Sequence, residues 1–391
     1  MRRIVIAGAA GFSNIGDDAI LISMIGELKK EIGQAELSVI GGDLDLPISR
    51  DVRRIVHTDE AKIFQAISEA DLVIVGGGGL FYDCNFHLNV NDFFKGRHYG
   101  ILFFLYLALL AKMLGKPVML YGVGIGPLLL PSTRRLVSFV LDRMDVISLR
   151  DAESSIELKR LRVNGPEIAV TVDPAIGLTP APKERVVGIL RGEKVSLEKP
   201  LIGINVRPWY HYQGFRSHRM QEKHNRYKRT IARVADFLVQ KFDSEIVFIP
   251  MQRLYDDDHQ LCHELVEEMR FKERAKILSD SYNPHEIKGI VGRLDLMIGT
   301  RLHSAIFAAS MGTPIIGIIY DGKVRSFLQL IGQEERSISI NEIRFERLCE
   351  IIDEVWTSRR RIPSDLRVKT EQLLRKAEEN PKLAAGLLRG Q

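Results

Sequence analysis

Residues 4–32 read IVIAGAAGFSNIGDDAILISMIGELKKEI. The first five are a β-type run ending in glycine, and a glycine turn follows. From Gly16 to Glu31 the apolar residues fall into helical spacing, with Ile20, Met24, Leu28 and Ile32 on one face. A strand, a glycine turn and a helix make the repeating unit of a parallel α/β sheet. The pattern recurs downstream. LSVIGG (37–42) reads as a strand, 61–69 as a helix, and DLVIVGGGG (71–79) as a strand running into a glycine loop. An apolar helix (101–111) leads to PVMLYGVGIGP (117–127), again a strand into a glycine loop. Residues 132–144 read as a helix and DVISLRD (145–151) as a strand. Near-continuous apolar strands alternating with helices predict a parallel sheet covered on both faces.

The stretch 180–200 has proline at both ends and charges between them, so it reads as a linker, with VVGIL as a short strand at most. Beyond it the alternation restarts: strand 201–208, helix 227–242, strand 245–251, helix 257–269, strand 294–300, helix 304–311 and strand 314–320. The expected organisation is an N-terminal domain (1–179), a linker (180–200), a C-terminal domain (201–340) and a charged helical tail (341–391). The fold class is α/β, with two doubly wound Rossmann-like domains facing a cleft.

A chain of 391 residues suits two domains, or three, at roughly 100–200 residues each. With 45% hydrophobic and 27% charged residues, it is neither a disordered tail nor a fibrous repeat. Three cysteines (Cys84, Cys262, Cys349) without a CxxC pair exclude a disulfide framework and a Cys-rich zinc site, and point to a reducing compartment. The net charge of +5 comes with no basic run of nucleic-acid type. It fits a solvated surface, or else chemistry on anionic small molecules or a membrane surface. The apolar run ILFFLYLALLA (101–111) is far short of the about 20 residues that span a bilayer. It reads as a buried helix, or as one dipping into a membrane surface.

In open parallel sheets, ligands bind at the carboxyl ends of strands, and the unusual polar clusters of this sequence fall there. Gly8–Asp18 permits close backbone approach to a ligand. Its aspartates repel phosphate, so Asp17 suits sugar hydroxyls, with Gly11 and Asn14 beside it; helix capping is the bland alternative. Gly76–Gly79, with Asp83 and Asn85 after it, offers Gly77 and Gly78 for close approach or merely makes a tight turn. Gly122–Pro127 has similar meaning. Arg150, after a strand, can fork onto carboxylate or phosphate, or simply sit beside Asp151 at a helix start. In Asn205-Val206-Arg207-Pro208-Trp209-Tyr210, Arg207 supplies charge and Trp209 a face for a sugar ring, or a core side chain. Gly299-Thr300-Arg301-Leu302-His303-Ser304 joins a strand to a helix. There a guanidinium, an imidazole and backbone amides could meet one anion, and an imidazole can deliver a proton. Cations at a helix start are disfavoured unless an anion compensates. After the next strand, Lys323 is a candidate anion contact and Arg325 a weaker one. His259 and His263, one helical turn apart near Asp256, Asp257 and Asp258, resemble a zinc pair. Those aspartates serve a helix N-terminus equally well.

Taken in order, GFSNIGDDAI, the GGGG loop, YGVGIGP, SLRD, VTVDPA, INVRPW, GTRLHSAIFAA and PIIGIIYDGKV resemble the polysaccharide pyruvyl transferase family over roughly residues 1–330. Asp18, where the family usually has Glu, and Phe81-Tyr82 are departures. The resemblance implies a GT-B-like fold and transfer of pyruvate from phosphoenolpyruvate to a cell-surface polysaccharide sugar as a cyclic ketal. It places Arg150, Arg301, Leu302 and His303 at donor-binding positions. The expected donor site clamps phosphoenolpyruvate between Arg150 of one domain and Arg301 of the other. His303 is then the acid and Asp17 orients or deprotonates the acceptor, with Arg207, Lys323, Gly11, Asn14, Gly77 and Gly78 as further substrate contacts. Phosphoenolpyruvate is a co-substrate, and no metal or other cofactor is required. The acceptor glycan is free or lipid-linked, the location cytoplasmic or peripheral to the inner membrane face, and nucleic acid is not a partner. Two rivals stand: a GT-B nucleotide-sugar glycosyltransferase, and a non-catalytic sugar-binding relative.

Overall fold

The computed structural model describes all residues except 43–45, 49–51, 84–99, 210–217, 255–256, 280 and 391. Cys84, Asn85, Tyr210 and Asp256 therefore lie outside the described residues. The chain forms two compact units: residues 1–12, 17–178 and 373–391, and residues 13–16 with 179–372.

In the first unit, β1 (Arg2–Ala7), α1 (Ile15–Ile32, from Asp17 on), β2 (Ala35–Gly41), β3 (Arg53–Val56), α2 (Glu60–Glu69), β4 (Leu72–Phe81), α3 (Ile101–Met113), β5 (Val118–Ile125), α4 (Pro131–Leu141), β6 (Val146–Leu149), α5 (Ala152–Arg160) and β7 (Glu167–Val170) follow one another. The strands make a 7-stranded sheet in the order β3-β2-β1-β4-β5-β6-β7. Every pairing in it is parallel. The inner strands are buried along their length because helices cover both faces.

The second unit holds α6 (Lys183–Gly192), β8 (Leu201–Asn205), α7 (His218–Phe242), β9 (Glu245–Phe248), α8 (Asp258–Glu268), β10 (Ala275–Ile277), α9 (Pro284–Val291), β11 (Leu296–Gly299), α10 (Leu302–Met311), β12 (Ile315–Ile319), α11 (Gly322–Leu330), β13 (Ser337–Ser339), α12 (Phe345–Ser358) and most of α13 (Ile362–Ala377). Its 6-stranded sheet runs β10-β9-β8-β11-β12-β13, again all parallel. The last helix, α14 (Glu379–Arg389), belongs to the first unit and packs on β4 and β5.

Several expectations differ from this arrangement. The stretch 180–200 carries a helix, Lys183–Gly192, of the second unit. Val186, Ile189 and Leu190 are buried at helical spacing, and Arg185 pairs with Glu286 at 2.7 Å. The tail is three helices, and its end returns to the first unit. There Asn380 is fully buried and accepts from Thr171 at 2.9 Å, and Arg2 donates to the Leu388 carbonyl at 2.9 Å. The glycine runs at 76–79 and 122–125 lie inside β4 and β5, not in loops. Neighbours crowd the backbone there and require glycine: a Cβ on Gly77 (φ +82°) would overlap Ile20, and one on Gly76 would stand 2.8 Å from the Tyr121 Cβ. The apolar helix α3 is buried through Ile101, Leu102, Phe104, Leu105, Leu107, Ala108 and Ala111. No described helix is long and apolar enough to cross a membrane.

Removing residues 373–391 strips Leu373, Ala377, Ala384, Ala385 and Leu388 from the first unit's core. The shortened protein should lose thermal stability or solubility. An unchanged melting temperature would contradict this packing.

Candidate active site

The second unit builds its site around the β11–α10 turn. Arg301 stands at the N-cap of α10, where its side chain, a donor only, cannot satisfy the first-turn amides. The helix field disfavours a cation there, and the compensating anion is internal. Asp258 is fully buried and accepts from Arg301 Nε at 2.6 Å and from Nη2 at 2.5 Å. Asp258 also accepts from the Met251 amide at 3.0 Å. The bidentate pair occupies one edge of the guanidinium and turns the Nη1 edge to other partners. Asn205, at the end of β8, fixes the turn: its Oδ1 accepts the Arg301 amide at 2.8 Å and its Nδ2 donates to the Ile249 carbonyl at 2.9 Å. Ser304 Oγ donates to the Arg301 carbonyl at 2.6 Å. Leu302 is buried, so it offers the site only backbone.

His303 lies against Gly16, where a Cβ would overlap the imidazole. Residues 13–16 are part of this unit. The Ile15 amide donates to the Met251 carbonyl at 3.0 Å, Asn14 bridges Gln252, and Asn14 Oδ1 accepts the Gly16 amide at 2.9 Å. Asn14 thus shapes the segment that backs His303.

Three more predicted residues meet at the carboxyl ends of β8 and β12. The Arg207 guanidinium lies 4.6 Å from the Tyr320 ring and 5.5 Å from the Trp209 ring. The two rings are 5.0 Å apart. Lys323 Nζ is 5.5 Å from the Tyr320 ring and 3.4 Å from Asp321. Burial pushes the Tyr320 phenol up, yet Lys323, Arg207 and Arg301, opposed by Asp321, hold it below its ordinary value. Three cations therefore converge on one phenol. Counting Arg207, Arg301 and Lys323 against Asp258 and Asp321 leaves this region net positive before His303 is considered. Arg325 is exposed on α11.

In the first unit, Arg150 follows β6 and is buried. Its Nη1 donates to Asp173 at 3.1 Å, and its Nε faces Asp151 at 3.5 Å. Burial alone would lower its pKa; Asp173, Asp151 and Asp17 together raise it. The guanidinium lies over β4 and β5, where a Cβ on Gly79 would stand 3.3 Å from Nη2 and one on Gly124 2.7 Å from Nε. A Cβ on Gly78 (φ +82°) would stand 3.1 Å from Asp17 Oδ1. One arginine among three carboxylates makes this region net negative. Gly11 (φ +81°) donates its amide to Asp18 Oδ1 at 2.8 Å. Asp83 is buried and holds the Leu129 and Leu130 amides at 2.6 and 2.9 Å, a structural task.

Sequence reasoning left out Asp258, Asp173 and Tyr320 as site residues. Asp258 had a readable signal: with Leu261, Cys262 and Leu265 it falls on the buried face of α8, where a lone carboxylate needs a partner. The zinc reading of that segment loses its carboxylate to Arg301. The His259 and His263 rings lie 4.8 Å apart, and no group of three or more His, Cys, Asp or Glu able to hold a metal occurs among the described residues.

Two parallel-sheet units of this kind define a fold class, the GT-B-like fold. HepE of Anabaena, solved with UDP-glucose, is 12% identical over 99% of this chain and 100% of that one, with a TM-score of 0.62. UDP-GlcNAc 2-epimerase of Methanocaldococcus jannaschii is 14% identical over 90% of this chain and 92% of that one, with a TM-score of 0.57. Sucrose-phosphate synthase of Thermosynechococcus elongatus is 11% identical over the full length of both chains, with a TM-score of 0.61. At such identities the likeness shows the fold alone. Residues 14–322 match the family described as polysaccharide pyruvyl transferase, and the chain belongs to that family. The amylovoran biosynthesis protein AmsJ of Erwinia amylovora is 22% identical over 286 residues, 71% of this chain. The chain spans 63% of the length of that relative.

Replacing Asp258 with Asn should cost about 3–5 kcal/mol in denaturant unfolding, because it strands a buried guanidinium. The double variant Asp258→Asn/Arg301→Met should recover part of the loss. A single variant as stable as the parent would refute the pair's structural role.

Burial and the neighbouring Asp17 push Asp18 up to about 7, against the lowering effect of the Gly11 amide. The folded protein therefore keeps a proton that the unfolded chain releases near pH 4. Stability should fall as pH rises from about 4 to about 7. Glu27, also raised to about 7 by burial, acts in the same direction. Asp18→Asn should flatten part of that slope in thermal melts; an unaltered slope would count against the shift.

Proposed function

We propose that the protein transfers pyruvate from phosphoenolpyruvate to two hydroxyls of a polysaccharide sugar, free or lipid-linked, forming a cyclic ketal and releasing phosphate. The reading is supported by the family and by one observation above all: the convergence of Arg207, Arg301 and Lys323 on Tyr320, in the β12–α11 turn. Phosphoenolpyruvate carries nearly three negative charges, and each charge-assisted contact to it is worth about 1.5–3 kcal/mol.

We assign the donor's anionic groups to the net-positive region of the second unit, with Arg207, Arg301, Lys323 and the α10 backbone at Leu302 as contacts. Arg150 is already matched by carboxylates, so we give it a different part from the clamp that sequence alone suggests. It orients Asp173 and Asp17 in a region whose carboxylates suit sugar hydroxyls. Gly77 and Gly78, which keep side chains away from that region, serve the acceptor.

The reaction begins when His303 gives a proton to the methylene carbon, which becomes the methyl group. The adjacent carbon, bearing carboxylate and phosphate, takes on oxocarbenium character. One sugar hydroxyl attacks it, the carbon–oxygen bond to phosphate breaks, and a second hydroxyl closes the ketal. Of the two hydroxyl protons, one replaces that given by His303 and the other leaves with phosphate or water. Asp17 orients or deprotonates the attacking hydroxyl.

Phosphoenolpyruvate and nucleotide sugars should be offered separately with candidate glycans. Consumption of phosphoenolpyruvate with acceptor-dependent phosphate release is expected. Consumption of the nucleotide sugar instead would establish a glycosyltransferase. His303→Ala should lower turnover at least about 10²-fold while phosphoenolpyruvate still binds. Turnover near the parent's would remove His303 from the chemistry.

A further inference from the structure

The apolar helix α3 is buried, yet the first unit has another surface with the chemistry of a membrane contact. α4 and α5 lie side by side. Arg134 reaches Glu157 at 2.7 Å, and Ser138 Oγ donates to the Leu161 carbonyl at 2.7 Å. Val137, Val140 and Leu158 turn into the common core on the inner side. On the outer side, one position on from each α4 contact and one position before each α5 contact, stand Arg135, Phe139, Ile156 and Arg160. Phe139 is 49% and Ile156 50% exposed. Arg143 extends the row one turn further, its guanidinium 3.7 Å from the Phe139 ring and bonded to the Phe139 carbonyl at 2.6 Å.

We propose that this outer face of α4 and α5 docks on an anionic lipid surface. Exposed apolar side chains on the same helix faces as exposed arginines match the boundary between acyl chains and anionic headgroups. A second copy of the chain fits poorly, because a two-fold contact here would press this cationic face against the same cationic face. Glu153 is the one exposed acid of α5, set against four exposed cations: Arg135, Arg143, Lys159 and Arg160. The inference does not depend on the donor or the reaction proposed above.

Co-sedimentation of the full chain with phosphatidylglycerol-containing vesicles, and with pure phosphatidylcholine vesicles, tests it. Binding to the first, little to the second, and release by salt are expected. Arg135→Ala/Arg143→Ala should lower the partition coefficient about 25-fold, roughly fivefold per arginine. Phe139→Ser should weaken binding at every salt concentration. All these positions are exposed, so an unchanged melting temperature verifies the fold of each variant. Failure of the parent protein to bind anionic vesicles would overturn the proposal. So would equal binding by the double arginine variant, or a change in solution mass on substitution in place of a change in lipid binding.

Discussion

A guanidinium and a carboxylate removed together from water fix the geometry of the second unit's site. Desolvating Asp258 and Arg301 costs several kcal/mol per ion, and only good geometry offsets it. Here the geometry is bidentate, and neighbours supply further bonds. Met251 gives its amide to Asp258, and Asn205 takes the amide of Arg301. The pair ties the first turn of α8 to the first turn of α10 and holds a cation where the helix field opposes one. His303 follows two residues later, pressed on Gly16, and its position depends on that same turn.

The internal anion also limits what Arg301 says about a ligand. A cation at a helix start calls for negative charge, and Asp258 already supplies it. Arg207 and Lys323 add further positive charge around Tyr320, opposed there by Asp321. Their charges are set close to a partly buried ring, where water screens them less than on an open surface. The opposite holds around Arg150, where three carboxylates outnumber one guanidinium. Each unit thus presents its own chemistry at its strand ends: cationic in the second, acidic in the first.

Much of this was legible in the sequence because it depends on local pattern. The inner strands are mostly apolar runs, and the turns after them carry the glycines and charged residues that any such sheet concentrates at its carboxyl ends. The edge strands β3, β7, β10 and β13 are only three or four residues long, too short for alternation to register. The helix at 183–192 is hidden by its charges, since only Val186, Ile189 and Leu190 mark its buried face. Glycines 76–79 look like a loop by composition. They lie in a strand, and the bulk that excludes a Cβ there comes from Ile20 and Tyr121, distant in sequence. Which carboxylate each arginine meets was illegible because the partners are far apart in sequence, Asp173 23 residues from Arg150 and Asp258 43 from Arg301, even though the buried helix face of Asp258 shows that it needs some partner.

Both units place an arginine just beyond a strand and hold it with a buried aspartate from another segment, Arg150 with Asp173 and Arg301 with Asp258. The shared device shows what such an arginine motif can and cannot establish. In either case the arginine has an internal task, since its partner would otherwise be a stranded buried carboxylate. Its presence alone is therefore no evidence of an anionic ligand. The discriminating quantity is the charge left after the internal pair is struck out. Around Arg301 the remainder includes Arg207 and Lys323, opposed by Asp321; around Arg150 it is Asp151 and Asp17. That difference in sign, not the presence of either arginine, is the basis for proposing a dense anion at the second unit and a hydroxyl-rich ligand at the first.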